Sequence, residues 1–475
     1  MNRLFEFIER LLWGTPEAGD GAGDELDTPL MTFSTGTAFT VRDAFENVLF
    51  IGSPGSGKTS AAGTYYRALL RAQFGGLILC VKETQVKDLL KVCRECGREK
   101  DVIEFSVNGG HRFNPLAGAS VTEAASLLVE LADALRRQTG GKKDDAFFRQ
   151  QSEIMMDRLL ALCWSHYGRL DISDLSRMFK GRPTDLTRLV DPVWRLNNVM
   201  AEALAQAKDN PDEDVQRAVE YFEVDFPTHG DRMQGSLAAT VSGVLDSLSS
   251  KKMLGLFSGQ STFTMRDLWE SGKICLMAMP VLGSKKLLTD SKEGAIANAV
   301  MQFCFCREVV RVESQKNLFL ISDECQETIS RELRRQLSVL REYRVATVLL
   351  TQDLPTIDTV LDENEREAIF AKCKTKVFLQ QTHEKTREWA AAQIGKYMGE
   401  QTSYNTTQSD GKTSRGQSTQ QAELWRVRPE EFAKLKTGGK ENEQIVESVV
   451  VYRGRWGRER WHQEKPGEKR TVKIA

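Results

Sequence analysis

The sequence predicts an α/β fold in which an all-α domain is inserted into a mainly parallel central sheet. Three observations support this prediction. Short apolar runs recur without period-two alternation, as is typical of parallel strands that are buried on both faces. Between two groups of these runs, a long segment repeats apolar residues at helical spacing. The first run leads through a glycine-rich turn into a predicted helix. The predicted strands are 47–52, 75–82, 101–106, 273–280, 317–322, 345–351, 375–380 and 446–452.

The composition indicates an ordinary globular protein with more than one domain. The chain has 475 residues, of which 40% are hydrophobic and 28% are charged, and this length exceeds what one small core accommodates. The net charge of −1 excludes a globally basic surface, so any contact with nucleic acid must come from a local patch. The nine cysteines are odd in number and no signal peptide is recognised, which predicts a reduced, cytoplasmic protein.

Changes in composition along the chain predict its domains. Residues 1–14 are amphipathic, with apolar side chains on one helical face. This segment is expected to dock on its own domain, and the alternative is that it lies on a membrane or on a partner. The predicted parts are an N-terminal amphipathic helix and linker over 1–30, an α/β domain over 31–118 and 236–455, an inserted all-α domain over 119–235 and a basic tail over 456–475.

Two segments near the C-terminus have an unusual composition. Residues 403–421 contain no aliphatic side chain larger than that of alanine, which predicts a mobile loop because little surface can be buried. The tail is rich in arginine and contains Trp456 and Trp461. We interpret these rings either as stacking surfaces for nucleic-acid bases or as part of a frayed terminus.

A glycine-rich turn predicts a site for a nucleoside triphosphate. Residues 52–59 match the pattern G-x-x-x-x-G-K-[ST] between a predicted strand and a predicted helix. Glycines let backbone N–H groups converge on phosphate oxygens, and the helix adds its positive end. Lys58 is expected to reach the β- and γ-phosphates and Thr59 to ligate Mg²⁺, so the predicted cofactors are ATP and Mg²⁺. The residues expected to bind the nucleotide are Gly52, Ser53, Pro54, Gly55, Ser56, Gly57, Lys58, Thr59 and Ser60.

A pair of acidic residues supplies the second half of the predicted site. Asp323 and Glu324 directly follow the apolar run 317–322. Asp323 is expected to hold Mg²⁺ through water, and Glu324 to orient or deprotonate the attacking water. Acidic residues after a strand are often only a solvated strand end, but a P-loop earlier in the chain favours the functional interpretation. The two motifs together predict an ATP hydrolase.

The next helix and strand provide two further candidates. The strand 345–351 ends beside Gln352, whose amide can contact the γ-phosphate and respond to its loss. Arg341 or Arg344, near the end of the preceding helix, can reach the nucleotide of a neighbouring subunit as an arginine finger. The alternative is a solvated basic face whose arginines pair with nearby glutamates.

Taken in order, these motifs resemble those of the type IV secretion coupling proteins, the TraG/TraD-type ATPases of the FtsK–HerA class. The run 322–396 carries the acidic pair, the arginine-rich helix and the strand that ends at the glutamine. With three further segments, the resemblance covers most of residues 31 to 455. These segments are "HRFNPLAG" at 111–118, "GDRMQGSLAATVSGVLDSL" at 230–248 and "RVRPEEFAKLKTGG" at 426–439.

The resemblance implies a RecA-like P-loop NTPase domain over 31–118 and 236–455, and it implies roles for single residues. Lys58 and Thr59 fall on the Walker A motif of the family, and Asp323 and Glu324 fall on its Walker B motif. These are the positions that the residue chemistry already assigns to the nucleotide and the metal.

The resemblance also implies an oligomer. Gln352 falls on the sensor glutamine of the family, and Arg341 lies closest to its arginine finger, with Arg344 as the alternative. The active form implied is a homo-hexameric ring, with ATP between subunits and DNA passing through the centre.

One departure from the family concerns the membrane. Coupling proteins usually begin with transmembrane helices, whereas this sequence contains no run of about 18 uncharged apolar residues. We therefore expect a soluble variant located in the cytoplasm, either free or peripheral to the inner membrane. Its expected partners are DNA and proteins of a secretion channel or of a mobile element.

The nature of the substrate is the least determined part of the prediction. Lys285 and Lys286, and the turn 139–145, are candidate loops for gripping the DNA backbone, although for each loop alone a solvated turn is the favoured interpretation. An ATPase that moves secreted polypeptides is one alternative. An ATP-gated scaffold, for instance in a defence system, is another, but Glu324 and Gln352 disfavour it because a static site needs no positioned water.

Overall fold

The computed structural model describes residues 25–138, 146–282, 291–313, 315–329, 331–409 and 412–463. The contacts within the chain divide it into two compact units. The first unit consists of residues 1–68 and 348–475, and the second unit consists of residues 69–347.

All the predicted strands are present, as β3 to β9 and β12, and two of them, β4 and β8, have the predicted bounds. The strands are β1 (Pro29–Thr32), β2 (Ala38–Thr40), β3 (Val48–Ile51), β4 (Gly75–Lys82), β5 (Val102–Phe105), β6 (Ile274–Leu282), β7 (Leu318–Ser322), β8 (Val345–Thr351), β9 (Thr375–Phe378), β10 (Lys396–Ser409), β11 (Lys412–Trp425), β12 (Ile445–Tyr452) and β13 (Arg455–His462).

The helices of the described residues are numbered in chain order. They are α1 (Val41–Ala44), α2 (Lys58–Arg71), α3 (Glu83–Glu95), α4 (Val121–Gln138), α5 (Ala146–Tyr167), α6 (Ile172–Lys180), α7 (Leu186–Val190), α8 (Pro192–Asn197), α9 (Val199–Ala207), α10 (Glu213–Glu220), α11 (Phe226–Thr228), α12 (Asp231–Leu248), α13 (Lys251–Phe257), α14 (Asp267–Glu270), α15 (Ser291–Val312), α16 (Arg331–Glu342), α17 (Leu354–Asp358), α18 (Glu363–Phe370), α19 (Glu384–Ile394) and α20 (Pro429–Phe432).

In the second unit, four strands form a parallel arrangement in the order β7-β4-β6-β5. Leu79 of β4 pairs with Ser322 of β7, and Leu77 pairs with Cys275 of β6. Every residue of β7 is buried, as expected for strands covered on both faces. Because parallel strands end at the same edge, the residues that follow β4 and β7 emerge close together.

In the first unit, β3 lies between β9 and β8 and is parallel to both. Strand β12 pairs with β9 in the antiparallel sense, and β13 continues the sheet beside β12. All four residues of β3 are buried. With its parallel strands and flanking helices in both units, the chain has the predicted α/β fold class.

Between β5 and β6 the described residues form helices and no strand, as predicted for the inserted segment. Leu127 and Leu131 on α4 and Leu159 on α5 are fully buried, at the three-to-four spacing of an amphipathic helix. Asp171 begins α6, because its carboxylate accepts the N–H of Ser173 at 2.9 Å. The boundaries 119–235 of a separate all-α domain stay a prediction.

The prediction of a mobile loop over 403–421 is wrong. Strands β10 and β11 form an antiparallel hairpin whose register runs from Lys396↔Trp425 to Ser409↔Lys412. The prediction considered only the burial of side chains. Cross-strand hydrogen bonds satisfy the backbone without a core, and threonine and tyrosine favour the strand conformation.

The interpretation of the C-terminus as a frayed tail is wrong for the described part, because residues 455–462 form β13. Trp461 is buried, and its indole N–H donates to Ser448 Oγ at 2.8 Å. This ring is part of the core and is not available for stacking on bases. Trp456 on the same strand remains 37% exposed.

Several sequence predictions fall outside the described residues. They concern the amphipathic segment 1–14, the turn 139–145, the pair Lys285 and Lys286, and the tail from 464 onward. Within the described ranges, no helix is both long and apolar enough to cross a membrane.

Candidate active site

The P-loop follows β3 and leads into α2. Its backbone is tied to the two neighbouring strands: Gly52 N–H donates to the carbonyl of Thr351 at 3.3 Å, and Ser53 N–H donates to that of Gln380 at 2.9 Å. The first turn of α2 closes where Ala61 N–H donates to Gly57 O at 3.1 Å. Because these bonds involve only backbone groups, the strand ends themselves determine the course of the loop.

Two glycines of the P-loop are required by close packing. A Cβ atom on Gly52 would lie 2.4 Å from Ser56 Oγ and 2.8 Å from Leu379 Cβ. Gly57 has a φ of +86°, and a Cβ atom there would lie 2.4 Å from Val446 Cγ2. A side chain at either position would displace the loop, so the glycines of the motif serve its shape as well as its contacts.

The polar groups of the P-loop are suited to a polyphosphate. The ammonium of Lys58 donates to the carbonyl of Gly52, and to that of Ser53 at 3.3 Å. Ser56 Oγ is buried, and among the described residues it has no hydrogen-bond partner. An ammonium, an orphaned hydroxyl and the N-terminus of α2 at one turn fit the oxygens of a bound phosphate chain.

Gln352 lies beside the P-loop. Ile51 pairs with Thr351 across β3 and β8, so Gly52 and Gln352 are the next residues after that pair and leave the sheet at the same edge. The backbone carbonyl of Gln352 accepts a hydrogen bond from the side chain of Gln381 at 2.8 Å. The structure therefore brings together the loop and the candidate sensor within the first unit.

Gln381 was missed by the sequence analysis. It is fully buried, and its carbonyl oxygen accepts from Ser53 Oγ at 3.4 Å while its amide N–H donates to Gln352. The neighbouring Thr382 N–H donates to the same Ser53 hydroxyl at 3.0 Å. Gln381 thus connects the P-loop to the strand end that carries the sensor. The only signal in the sequence is a run of polar residues after β9.

The acidic pair follows β7 in the second unit. Asp323 and Glu324 are 7% and 3% exposed. Asp323 Oδ2 accepts from the amide of Gln85 at 2.9 Å. Glu324 Oε1 forms an ion pair with Lys82, and its Oε2 accepts from the amide of Gln326 at 2.9 Å. We call these five residues the acidic corner.

No motif in the sequence identifies Lys82, Gln85 or Gln326 as part of the acidic corner. Lys82 is the last residue of β4, and Gln85 lies in the first turn of α3. Both reach Asp323 and Glu324 only because β4 pairs with β7, over more than two hundred residues of sequence. A lysine and a glutamine directly after a predicted strand were the signal that could have suggested them.

The surroundings of Glu324 are unusual in two respects. Its φ of +57° places a non-glycine residue in the left-handed region, which is uncommon. A second carboxyl group, that of Glu327, lies close by. Burial raises the pKa of Glu327, the charge of Glu324 raises it further, and Lys82 opposes both effects. One lysine therefore compensates the charge of two partly or fully buried carboxyl groups.

The two candidate arginine fingers differ in their surroundings. Arg341 is exposed near the C-terminal end of α16. Arg344 has a φ of +58°, and its guanidinium donates to the carbonyl of Gln315 at 3.1 Å. Its own carbonyl accepts from Leu318 N–H at 3.0 Å, at the start of β7. Arg344 thus has a local structural role, and Arg341 is the better candidate for contact with another subunit.

One protein family matches part of the chain. Residues 317–437 match the family described as the TraM recognition site of TraD and TraG. The matched range includes the acidic pair, Arg341 and Gln352. No curated protein sequence matches the chain.

Solved structures of conjugative coupling proteins share the fold of this chain. The unbound bacterial conjugative coupling protein TrwBdeltaN70 has a TM-score of 0.58 at 15% identity, and the match covers 97% of this chain and 91% of that chain. Plasmid coupling protein TrwB in complex with the non-hydrolysable ATP analogue ADPNP has a TM-score of 0.55 at 15% identity, covering 97% and 92% of the two chains.

The same protein in complex with ADP and Mg²⁺ has a TM-score of 0.54 at 14% identity, covering 97% of this chain and 92% of that chain. At these identities the likeness concerns the fold. The family match over residues 317–437 and this shared fold confirm the resemblance to TraG/TraD-type coupling proteins that is predicted from the sequence, and the chain has a RecA-like α/β fold.

Proposed function

We propose that this chain is an ATP-driven motor that moves DNA, acting as a ring of identical subunits. The proposal rests on the edge of the sheet at which β3 and β8 both end. There the P-loop and Gln352 leave neighbouring parallel strands directly after the pair Ile51 and Thr351. A phosphate-binding loop beside a polar side chain can couple the presence of the γ-phosphate to movement of a strand end.

The proposed chemistry assigns one role to each residue. Lys58 neutralises the β- and γ-phosphates, and the hydroxyl of Thr59 ligates Mg²⁺. Asp323 holds the metal through water, and Glu324 orients or deprotonates the attacking water. Mg²⁺ in such sites keeps several waters and is bound largely by the phosphates of the nucleotide, so few protein ligands are needed.

The proposal for the substrate is supported by the matched relatives. The solved structures bear the name of conjugative coupling proteins, and two of them hold ADP with Mg²⁺ or an ATP analogue. We extend ATP and Mg²⁺ to this chain on that basis, and DNA on the basis of the resemblance to the TraG/TraD-type ATPases. A homo-hexamer with DNA at its centre, and partner proteins of a secretion channel or a mobile element, complete the proposal.

DNA should stimulate ATP hydrolysis, and salt should weaken the stimulation. Release of counterions from the phosphate backbone predicts that DNA affinity falls by roughly 10³–10⁵ between 50 and 200 mM salt for a protein with 6–10 phosphate contacts. The test is the steady-state ATPase rate with single-stranded, double-stranded or no DNA across that salt range. A rate that is unaffected by either DNA would contradict the proposed substrate and favour a polypeptide substrate.

The same assay can locate the DNA contact. The double substitution Lys285→Ala/Lys286→Ala should abolish stimulation and preserve the rate without DNA, if this pair grips the phosphate backbone. Unchanged stimulation would remove the pair from the proposed DNA path.

The proposed ring also predicts that Arg341 acts on the nucleotide of a neighbouring subunit. Arg341→Ala protein should bind ATP normally and hydrolyse it poorly, because an arginine finger stabilises charge that develops only in the transition state. Mixed with Lys58→Ala protein, it should regain activity, since each protein supplies what the other lacks. Arg344→Ala is the matched control and should need no rescue. Mixed oligomers without regained activity, once subunit exchange is confirmed by mass, would rule out action in trans.

A further inference from the structure

The ion pair in the acidic corner fixes the side chain of Glu324, the residue proposed to activate water. Both carboxylate oxygens of Glu324 accept N–H donors, one from Lys82 and one from Gln326. The side chain of Glu324 is only 4% exposed. A donor on each oxygen fixes the orientation of the carboxylate, so Glu324 turns towards an attacking water only when one of these bonds opens.

We propose that Lys82 is a positioning residue that holds Glu324 in a resting orientation, from which a phosphate group releases it by competing for the lysine. This inference rests on the proposed ATP hydrolysis. It concerns the regulation of the same site.

The exposed fractions of the two side chains indicate that an external group can open the ion pair by binding Lys82. The side chain of Lys82 is 38% exposed, whereas that of Glu324 is 4% exposed. An external anion can therefore reach the cation of the pair and not the carboxylate. Phosphate oxygens are strong acceptors for an ammonium group, so the phosphates of DNA or of ATP have the required chemistry.

The surrounding hydrogen bonds allow Lys82 to move without disturbing the metal residue. Gln85 Oε1 accepts the backbone N–H of Val81 at 3.1 Å and that of Lys82 at 2.9 Å. Its amide donates to Asp323 at 2.9 Å. The backbone at Lys82 and the carboxylate of Asp323 are thus held by one side chain. Only the flexible stem of Lys82 has to change when the ion pair opens.

The backbone of Glu324 is consistent with a restrained state. Its left-handed conformation is uncommon for a residue with a side chain, and such conformations persist where the surrounding structure imposes them. Opening the ion pair removes one of these constraints and lets the carboxylate turn towards a water.

Removal of the lysine charge should raise hydrolysis in the absence of DNA. We expect the kcat of Lys82→Met to be about tenfold above that of the wild type, with little change in KM, because breaking one charge-assisted hydrogen bond is comparable to a tenfold change in rate. Lys82→Arg keeps the charge and should behave as the wild type. Lys87→Met is the matched control, since Lys87 is exposed on α3, the helix that directly follows Lys82.

The two sources of phosphate have different signatures in this assay. If DNA releases Glu324, Lys82→Met loses most of its stimulation by DNA, because its rate without DNA already approaches the maximum. If ATP releases it, the rates with and without DNA rise by the same factor. A Lys82→Met rate at or below that of the wild type, with ATP binding preserved, would overturn the proposal and leave Lys82 with a structural role. If Lys82→Met does not fold, the neutral Lys82→Gln takes its place with the same expectation.

A second measurement tests the ion pair without relying on turnover. Acetic anhydride should modify Lys82 more slowly than Lys87 in the full-length wild type, as read by mass spectrometry. The substitution Glu324→Gln should raise the reactivity of Lys82 relative to Lys87 several-fold. Equal reactivity in the two proteins would overturn the ion pair itself. A wild type that protects Lys82 but never hydrolyses ATP would instead contradict the proposed function.

Discussion

The P-loop of the first unit and the acidic corner of the second unit are built in different ways. Backbone hydrogen bonds from Gly52 and Ser53 to the ends of β8 and β9 hold the P-loop. Side chains hold the acidic corner, where Lys82 and Gln85 bind the two carboxylates. Backbone groups cannot rearrange without moving a strand, whereas a side chain can change its rotamer. The comparison indicates that the P-loop is rigid and that the carboxylate of Glu324 is adjustable.

The largest effects are expected where the two regions differ most in chemistry. Lys58→Ala should abolish nucleotide binding or turnover, since it removes the cation of the phosphate site. Glu324→Gln should keep binding and lose turnover by about 10²–10³, the usual cost of removing one transition-state contact. Binding of a fluorescent ATP analogue and the ATPase rate separate the two outcomes. Wild-type turnover in Glu324→Gln would remove Glu324 from the mechanism.

Substitutions of glycine test whether the P-loop is rigid. Gly57→Ala introduces a Cβ atom at a positive φ and 2.4 Å from Val446. It should lower the free energy of unfolding by about 3 kcal/mol, as strain adds to overpacking. Gly55→Ala is the matched control, since Gly55 also has a positive φ but its Cβ would contact nothing within 4 Å, and it should cost only about 1 kcal/mol.

Urea denaturation measures both glycine variants. Val446→Ala in the Gly57→Ala background should restore part of the loss, because it removes the clashing methyl groups. Equal losses of unfolding free energy in Gly57→Ala and Gly55→Ala would show that the P-loop adapts to the added methyl group and is not rigid.

A smaller effect is expected at Gln381, which follows β9 and whose side chain joins the P-loop to Gln352 at the end of β8. Gln381→Ala removes hydrogen bonds to Ser53 and Gln352 and should cost about 1–2 kcal/mol of unfolding free energy. Gln380→Ala, the control, keeps the carbonyl that accepts from Ser53 and should cost about 0.5 kcal/mol or less. A loss of activity in Gln381→Ala beyond its loss of stability would sharpen the comparison. It would assign Gln381 to the transfer of movement from Gln352 to the P-loop.

Features that depend on one continuous segment could be predicted from the sequence, whereas features that depend on the pairing of two segments could not. Strands β4 and β8 were predicted to the residue, because buried parallel strands are continuous apolar runs. The hairpin of β10 and β11 was missed, because its stability lies in backbone pairing between two polar segments. The composition of each segment alone contains no sign of the other.

The sequence by itself determined the P-loop, the acidic pair and Gln352, because each motif consists of a few consecutive residues whose chemistry follows directly from the preceding strand. Only the tertiary structure decided what surrounds them. The contact of Lys82 with Glu324 and that of Gln381 with Ser53 join residues hundreds of positions apart. The register of the paired strands sets which side chains meet at a sheet edge, and this register is a property of the folded sheet.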